Sequence, residues 1–292
     1  MNEPRLEPGV RRGHVLVIQV GSLCVCDGRN LNILRHCQTV YIDGTFRVCP
    51  RPYTQLLVIV GNFHGYGLPL VHALIGQRTV GHYRQVLQAV CRRTRELTHH
   101  RWRPTLVVTD FEIGLQNAVQ TEIPTADVRG CYFHFSQALW RKIQEIGLSN
   151  AYINNDRVKA LVRKVMALGY LPLPLVRLNY NLLLQERGTR RQMRRTPALQ
   201  EFLQCVSLTY VDRGATFNIP SWNVFKRGME QRTNNIVESI HRAFSGAVQV
   251  RHHMFWNFLR HLKDQQAITE QRITAARNGN APPPRNRKWR DL

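Results

Sequence analysis

The chain has 292 residues, 43% of them hydrophobic, enough to bury a substantial core and too many for an intrinsically disordered polymer. Its 41 Lys+Arg against 19 Asp+Glu give a formal net charge of +22, a field that attracts polyanions and makes nucleic acid the expected partner. Seven cysteines at 24, 26, 37, 49, 91, 131 and 205, with no CxxC pair, argue against a disulfide framework and for a reducing compartment.

The chain order begins with residues 1–13, polar and loose. The apolar run "HVLVIQVGSLCVC" is too short to cross a bilayer and predicts a buried strand over 14–20, so no membrane is expected. "NLNILRHC" (30–37) predicts a short helix. Three strands follow in succession, "TVYIDGTFRV" (39–48), "TQLLVIVGNFH" (54–64) and "YGLPLVHALIG" (66–76), with "HGYG" as the tight turn of a meander. Helical spacing of Tyr83, Val86, Leu87, Val90 and Cys91 predicts a helix over 79–97. The continuous apolar "PTLVVTD" (104–110) predicts a central strand ending in Asp110, then a helix over 111–123 and a strand over 126–135.

That β-β-β-α-β-α-β order is ribonuclease-H-like: an α/β fold with a mixed sheet flanked by helices. The first part of this core spans 14–135. Residues 136–231 carry long helical patterns and no strand alternation, and predict an all-helical insertion. A core segment over 232–276 follows, with helices over 233–248 and 254–276. The Pro- and Arg-rich tail, 277–292, predicts disorder.

Asp43 interrupts a strand-forming run, and Asp110 ends the strand expected beside it. Two carboxylates at one sheet edge repel each other unless a divalent cation binds between them. Glu238 is the candidate third acid. It shares a helix face with Asn234, Asn235, His241, Arg242 and Ser245, while Ile236, Val237, Ile240, Ala243, Phe244 and Ala247 form the apolar face. Blander readings stand beside these: a turn acid before Gly44, a helix N-cap at Asp110 and a solvated helix acid at Glu238. In "CYFH", Cys131 and His134 are metal-type ligands, but a structural zinc needs four, so a pair packed beside the acids is preferred.

At these residues the chain resembles the Mutator-like element (MULE) transposases, a branch of the DDE/D superfamily. The likeness rests on "DGTF" with "PRPYTQLLVI", on "VTDFEIGLQNA" with "RGCYFHFSQALWRK", and on "WNVF" with "RTNNIVESIHRAF", from about 30 to 262. It implies a ribonuclease-H-like fold with a helical insertion before the last acid. Its catalytic acids fall at Asp43, Asp110 and Glu238, binding two Mg²⁺ or Mn²⁺ ions, and its C-x2-H pair at Cys131 and His134. It implies metal-dependent strand cleavage and transfer in cut-and-paste transposition on double-stranded DNA, by a homo-oligomer, in the nucleus of a eukaryotic host. Relatives often carry an N-terminal zinc-binding module whose Cys/His spacing is not found in this sequence. That leaves open a fragment, a degenerate copy, or a host-adopted DNA-binding regulator without recombination activity. A nuclease acting on RNA–DNA hybrids is a further alternative, disfavoured by the insertion and the "RTNN" helix.

Overall fold

The computed structural model describes residues 15–18, 22–46, 48–228, 237, 239–242, 246 and 255–282. Seven strands form one sheet: β1 (Val15–Ile18), β2 (Ser22–Val25), β3 (Thr39–Thr45), β4 (Gln55–Phe63), β5 (Tyr66–Ile75), β6 (Leu106–Thr109) and β7 (Asp127–Gly130). Their order is β1-β2-β5-β4-β3-β6-β7. Each adjacent pair within β1-β2-β5-β4-β3 runs antiparallel. Asp127 N–H donates to Thr105 O (2.9 Å) and Cys131 N–H to Thr109 O (2.8 Å), a constant offset that makes β6 and β7 parallel. The fold is therefore a mixed α/β sheet with helices.

The meander forms where the β-branched runs predict it. Leu56 to Gly61 are buried at successive positions, so both faces of β4 are covered and this run has no polar residue rather than alternating. His64 and Gly65 both have positive φ (50° and 82°), the signature of a two-residue type I′ hairpin between β4 and β5. Two expectations need correction. The single strand over 14–20 is in fact β1, followed by a second strand, β2, that pairs with both β1 and β5. The strand over 126–135 ends at Gly130, because Cys131 caps a helix instead.

The chain divides into two compact units, residues 1–107, 112–127 and 236–292, and residues 108–111 and 128–235. In the first, α1 (Gly28–Leu34), α2 (Val80–Thr98), α3 (Ile113–Glu122) and, later in the chain, Phe255–Arg277 are helical. Asn30 on α1 is buried and ties that helix to β5 and to the last helix. Its amide donates to Leu70 O (3.2 Å) and exchanges bonds with Gln266 on the last helix (2.8 and 3.1 Å). The composition predicts a disordered tail from 277; yet the Tyr66 hydroxyl donates to Asn280 O (3.3 Å) and Ala281 O (2.9 Å), which holds its first residues.

The second unit is helical: α4 (Tyr132–Glu145), α5 (Ser149–Asn154), α6 (Asp156–Ala167), α7 (Leu173–Gln185), α8 (Arg187–Arg195), α9 (Pro197–Val206) and α10 (Ile219–Trp222). With these labels the last helix, Phe255–Arg277, is α11. The core of the second unit is aromatic. Phe135 stacks on Trp222 (centroids 4.7 Å apart, planes at 6°), and the buried indole N–H of Trp222 is satisfied by Tyr210 O at 2.9 Å. This packing explains why the Phe-rich "CYFHF" folds as a helix despite its strand propensity.

His72 lies inside β5, 6% exposed, and burial, with His241 nearby, lowers its pKa to about 4. The unfolded imidazole takes its proton near 6.5, so the unfolded chain binds more protons between those values. Stability should therefore fall as pH drops from about 6.5 to about 4, by up to about 3 kcal/mol from this group. Denaturant unfolding across that range should show a shallower decline in His72→Leu; an identical decline would assign the pH dependence elsewhere.

Candidate active site

Asp43 lies within β3, opposite Val58 of β4, and Val58 is in turn opposite His72 of β5, so the three form one row on one sheet face. The residue is 5% exposed. One carboxylate oxygen, Oδ1, accepts from the Gly44 N–H (2.8 Å), and Oδ2 lies 3.8 Å from Nδ1 of His241. Residues 239–242 are helical, which places His241 over Asp43 and leaves Arg242 exposed. Gly44 is paired with Leu57 in mid-strand, so the turn reading of Asp43 does not hold.

Gly44 is needed for a close approach. A Cβ there would stand 1.9 Å from the Gln55 amide nitrogen and 2.6 Å from its carbon, so the Gln55 side chain lies directly on the β3 backbone. Gln55 is 1% exposed. The Tyr83 hydroxyl lies 2.7 Å from Gln55 Oε1 and 2.6 Å from Glu112 Oε1 and shares its single proton between them. Burial first, then the Glu112 carboxylate, pushes the Tyr83 phenol upward, so it stays a donor at neutral pH. Arg78 closes the chain through Nη2 (2.8 Å) and Nε (3.3 Å) to Glu112. The strand carrying Asp43 thus rests on a polar relay from Arg78 to Gln55. Sequence reasoning missed Gln55, Tyr83, Glu112 and Arg78. Their separations in sequence, 28 to 34 residues, follow no motif, and Tyr83 reads only as a core position of α2.

Asp110 follows β6 directly and is half-buried. Its backbone is fixed on both sides. The buried Thr109 hydroxyl donates to Asp110 O (2.8 Å), and Phe111 packs edge-on against Phe217 (4.9 Å) and Tyr210 (6.0 Å). Gly130 admits that ring, since a Cβ there would stand 2.2 Å from Phe111. The residue at the N-cap of α3 is Glu112, so the capping alternative for Asp110 also falls.

Cys131 is the N-cap residue of α4, fully buried, and its backbone bond to Thr109 places it at the strand end that carries Asp110. The buried Arg227 guanidinium donates to Gly130 O (2.7 Å) and Ser221 O (2.8 Å), fixing the end of β7. Burial, then Arg141, lowers the His134 pKa to about 4, which keeps its imidazole neutral. All seven cysteines are free thiols, and burial raises Cys37 and Cys49 to about 12, so neither is a thiolate at neutral pH.

Glu238, Asn234 and Asn235 lie outside the described residues. Among the described residues no group of three or more His, Cys, Asp and Glu could hold a metal ion. The carboxylate oxygens of Asp43 and Asp110 suit a hard cation such as Mg²⁺ or Mn²⁺, whereas the Cys131 thiol and His134 imidazole suit softer metals. No helix among the described residues is long and apolar enough to cross a membrane.

Residues 39–138 match the model of the MULE transposase domain. No curated protein matches the chain. The match contains Asp43, Asp110, Cys131 and His134; Glu238 lies beyond it. It supports the likeness to the MULE transposases read from the motifs and suggests a transposase-related role.

The contact between Gly44 and Gln55 is testable. Gly44→Ala should cost about 1–3 kcal/mol through overpacking. Combining it with Gln55→Ser, which shortens the obstructing side chain, should cost less than the two changes summed, in a double-mutant cycle by urea unfolding. Strict additivity would mean that the added methyl meets something other than Gln55.

Proposed function

We propose that the protein is a DDE-type transposase that cuts a DNA strand and joins the freed end to target DNA, on a sheet that we read as ribonuclease-H-like. The observation that carries this reading is the buried, in-strand carboxylate of Asp43 within the span matched by the MULE transposase domain. Further support comes from the sheet order, in which β3, bearing Asp43, neighbours β6, which Asp110 follows. Asp43, Asp110 and Glu238 would together hold divalent Mg²⁺ or Mn²⁺. The bound metal would supply positive charge for activating the nucleophile and for stabilising the leaving oxygen.

The chain's own groups do the positioning. Asp43 sits on a central strand whose rotation would break the β3–β4 ladder, so its carboxylate is oriented before any ligand arrives. The Gly44 N–H holds one carboxylate oxygen, and His241 stands beside the other. In the first step water attacks a phosphodiester, the P–O3′ bond breaks and a 3′-hydroxyl is released. In the second that hydroxyl attacks a target phosphodiester and displaces its 3′ oxygen, with no covalent bond to protein. We place this chemistry on double-stranded DNA, in a homo-oligomer and, in a eukaryotic host, in the nucleus. A second reading, a host-adopted DNA-binding protein without recombination activity, draws on the net charge of +22, which serves binding whether or not strands are cut.

Purified protein with Mn²⁺ or Mg²⁺ and duplex carrying the flanking element ends should yield strand cleavage. Asp43→Asn, Asp110→Asn and Glu238→Gln should each abolish cleavage while DNA affinity changes by less than about threefold, since none of them is assigned a phosphate contact. Undiminished cleavage in any one variant removes that residue from the mechanism. Binding without cleavage by the unmodified protein favours the second reading.

A further inference from the structure

In the helical unit, α8 has the sequence "RGTRRQMRR". Arg187, Arg190, Arg191, Arg194 and Arg195 are all exposed, while Thr189 and Gln192 are buried. Gln192 accepts from the Asn155 amide (3.2 Å), and Met193 packs on the unit's core, so the helix is anchored by one face. The other face carries the five guanidiniums over about 13 Å of helix. No acid occurs from 187 to 200. The acid just before the helix, Glu186, is engaged by Lys164 (3.1 Å), and Glu201 by Lys142 (3.2 Å).

Such a face is not merely solvated. Arg187 and Arg191, Arg190 and Arg194, and Arg191 and Arg195 are like charges at i,i+4 spacing, an arrangement that destabilises a helix. A ligand with closely spaced negative charge would reverse that effect. Duplex DNA presents about one charge per 1.7 Å of axis over its two strands, so a stretch as long as α8 carries roughly eight phosphate charges in all. Arginine, rather than lysine, suits bidentate bonds to phosphate oxygens. We infer that the exposed face of α8 is a phosphate-binding surface for the backbone of duplex DNA. This rests on the DNA-directed function proposed above and adds to it a definite contact surface.

The test is a salt titration of duplex binding by the full chain. Substituting Arg190, Arg191 and Arg194 by Gln keeps helix propensity and removes three charges. It should lower the slope of log affinity against log salt by about 2–3 and weaken binding about tenfold or more at low salt. The same three residues changed to Lys should keep the slope within about one and lose only roughly threefold in affinity. Arg92, Arg93 and Arg95 changed to Gln on α2 remove equal charge elsewhere and should leave the slope within about one. The inference is overturned if the α8 Gln variant keeps its slope, if the α2 variant loses as much, or if the Lys variant falls as far as the Gln variant. Tighter binding of single-stranded RNA than of duplex through these arginines would overturn it by replacing the partner. Absence of any salt-dependent duplex binding by the unmodified protein would instead strike the DNA-directed function itself.

Discussion

A carboxylate held inside a β-sheet is the constraint on which the molecule turns. Val40, Tyr41 and Ile42, the residues leading into Asp43, are fully buried, and its cross-strand partner Val58 is 1% exposed. Taking an ionised carboxylate out of water costs several kcal/mol unless positive charge or hydrogen-bond donors answer it. The backbone N–H of Gly44 supplies one donor, and His241 approaches the other oxygen. The polar relay behind β3 bears on the same point. Gln55 can lie on the strand only because residue 44 lacks a side chain, and Tyr83, Glu112 and Arg78 hold Gln55 there. Rigidity at Asp43 is thus built from both sheet faces, as a site that must orient a charged group before its ligand arrives requires.

The second acid is held by other means. Asp110 is half-buried, and its position follows from the buried Thr109 hydroxyl on one side and the aromatic packing of Phe111 on the other. Those rings belong to the core of the helical unit, so the backbone around Asp110 answers to that unit's packing. In the functional account proposed here, the same unit has a further task on the exposed face of α8, whose arginines form no ion pair among the described residues.

The meander, α2, β6 and α3 were legible in the residues because apolar runs of strand length or helical spacing are bounded there by clear turn and loop residues. The second strand, β2, was not, since its four residues, Ser22–Val25, are too short a run to show an alternation of their own after the apolar β1. The helix at "CYFHF" was misjudged because Phe133 and Phe135 favour strands locally, and only the stack of Phe135 on Trp222, 87 residues away, overrides that. Asp43 and Asp110 stood out because an acid within or at the end of an apolar strand is conspicuous. The relay that backs Asp43 was invisible, because Gln55 on β4, Arg78 ahead of α2, Tyr83 on α2 and Glu112 at the N-cap of α3 have no shared spacing.

The central claim is that the buried Asp43 carboxylate belongs to a divalent-metal site. Isothermal titration of Mn²⁺ into the full chain near pH 7, repeated with Asp43→Asn after its fold has been checked by circular dichroism, tests it most directly. The account predicts saturable binding in the unmodified chain that is lost, or weakened at least about tenfold, in the folded variant. Equal Mn²⁺ affinity in the two proteins, or no saturable binding in either, would contradict it.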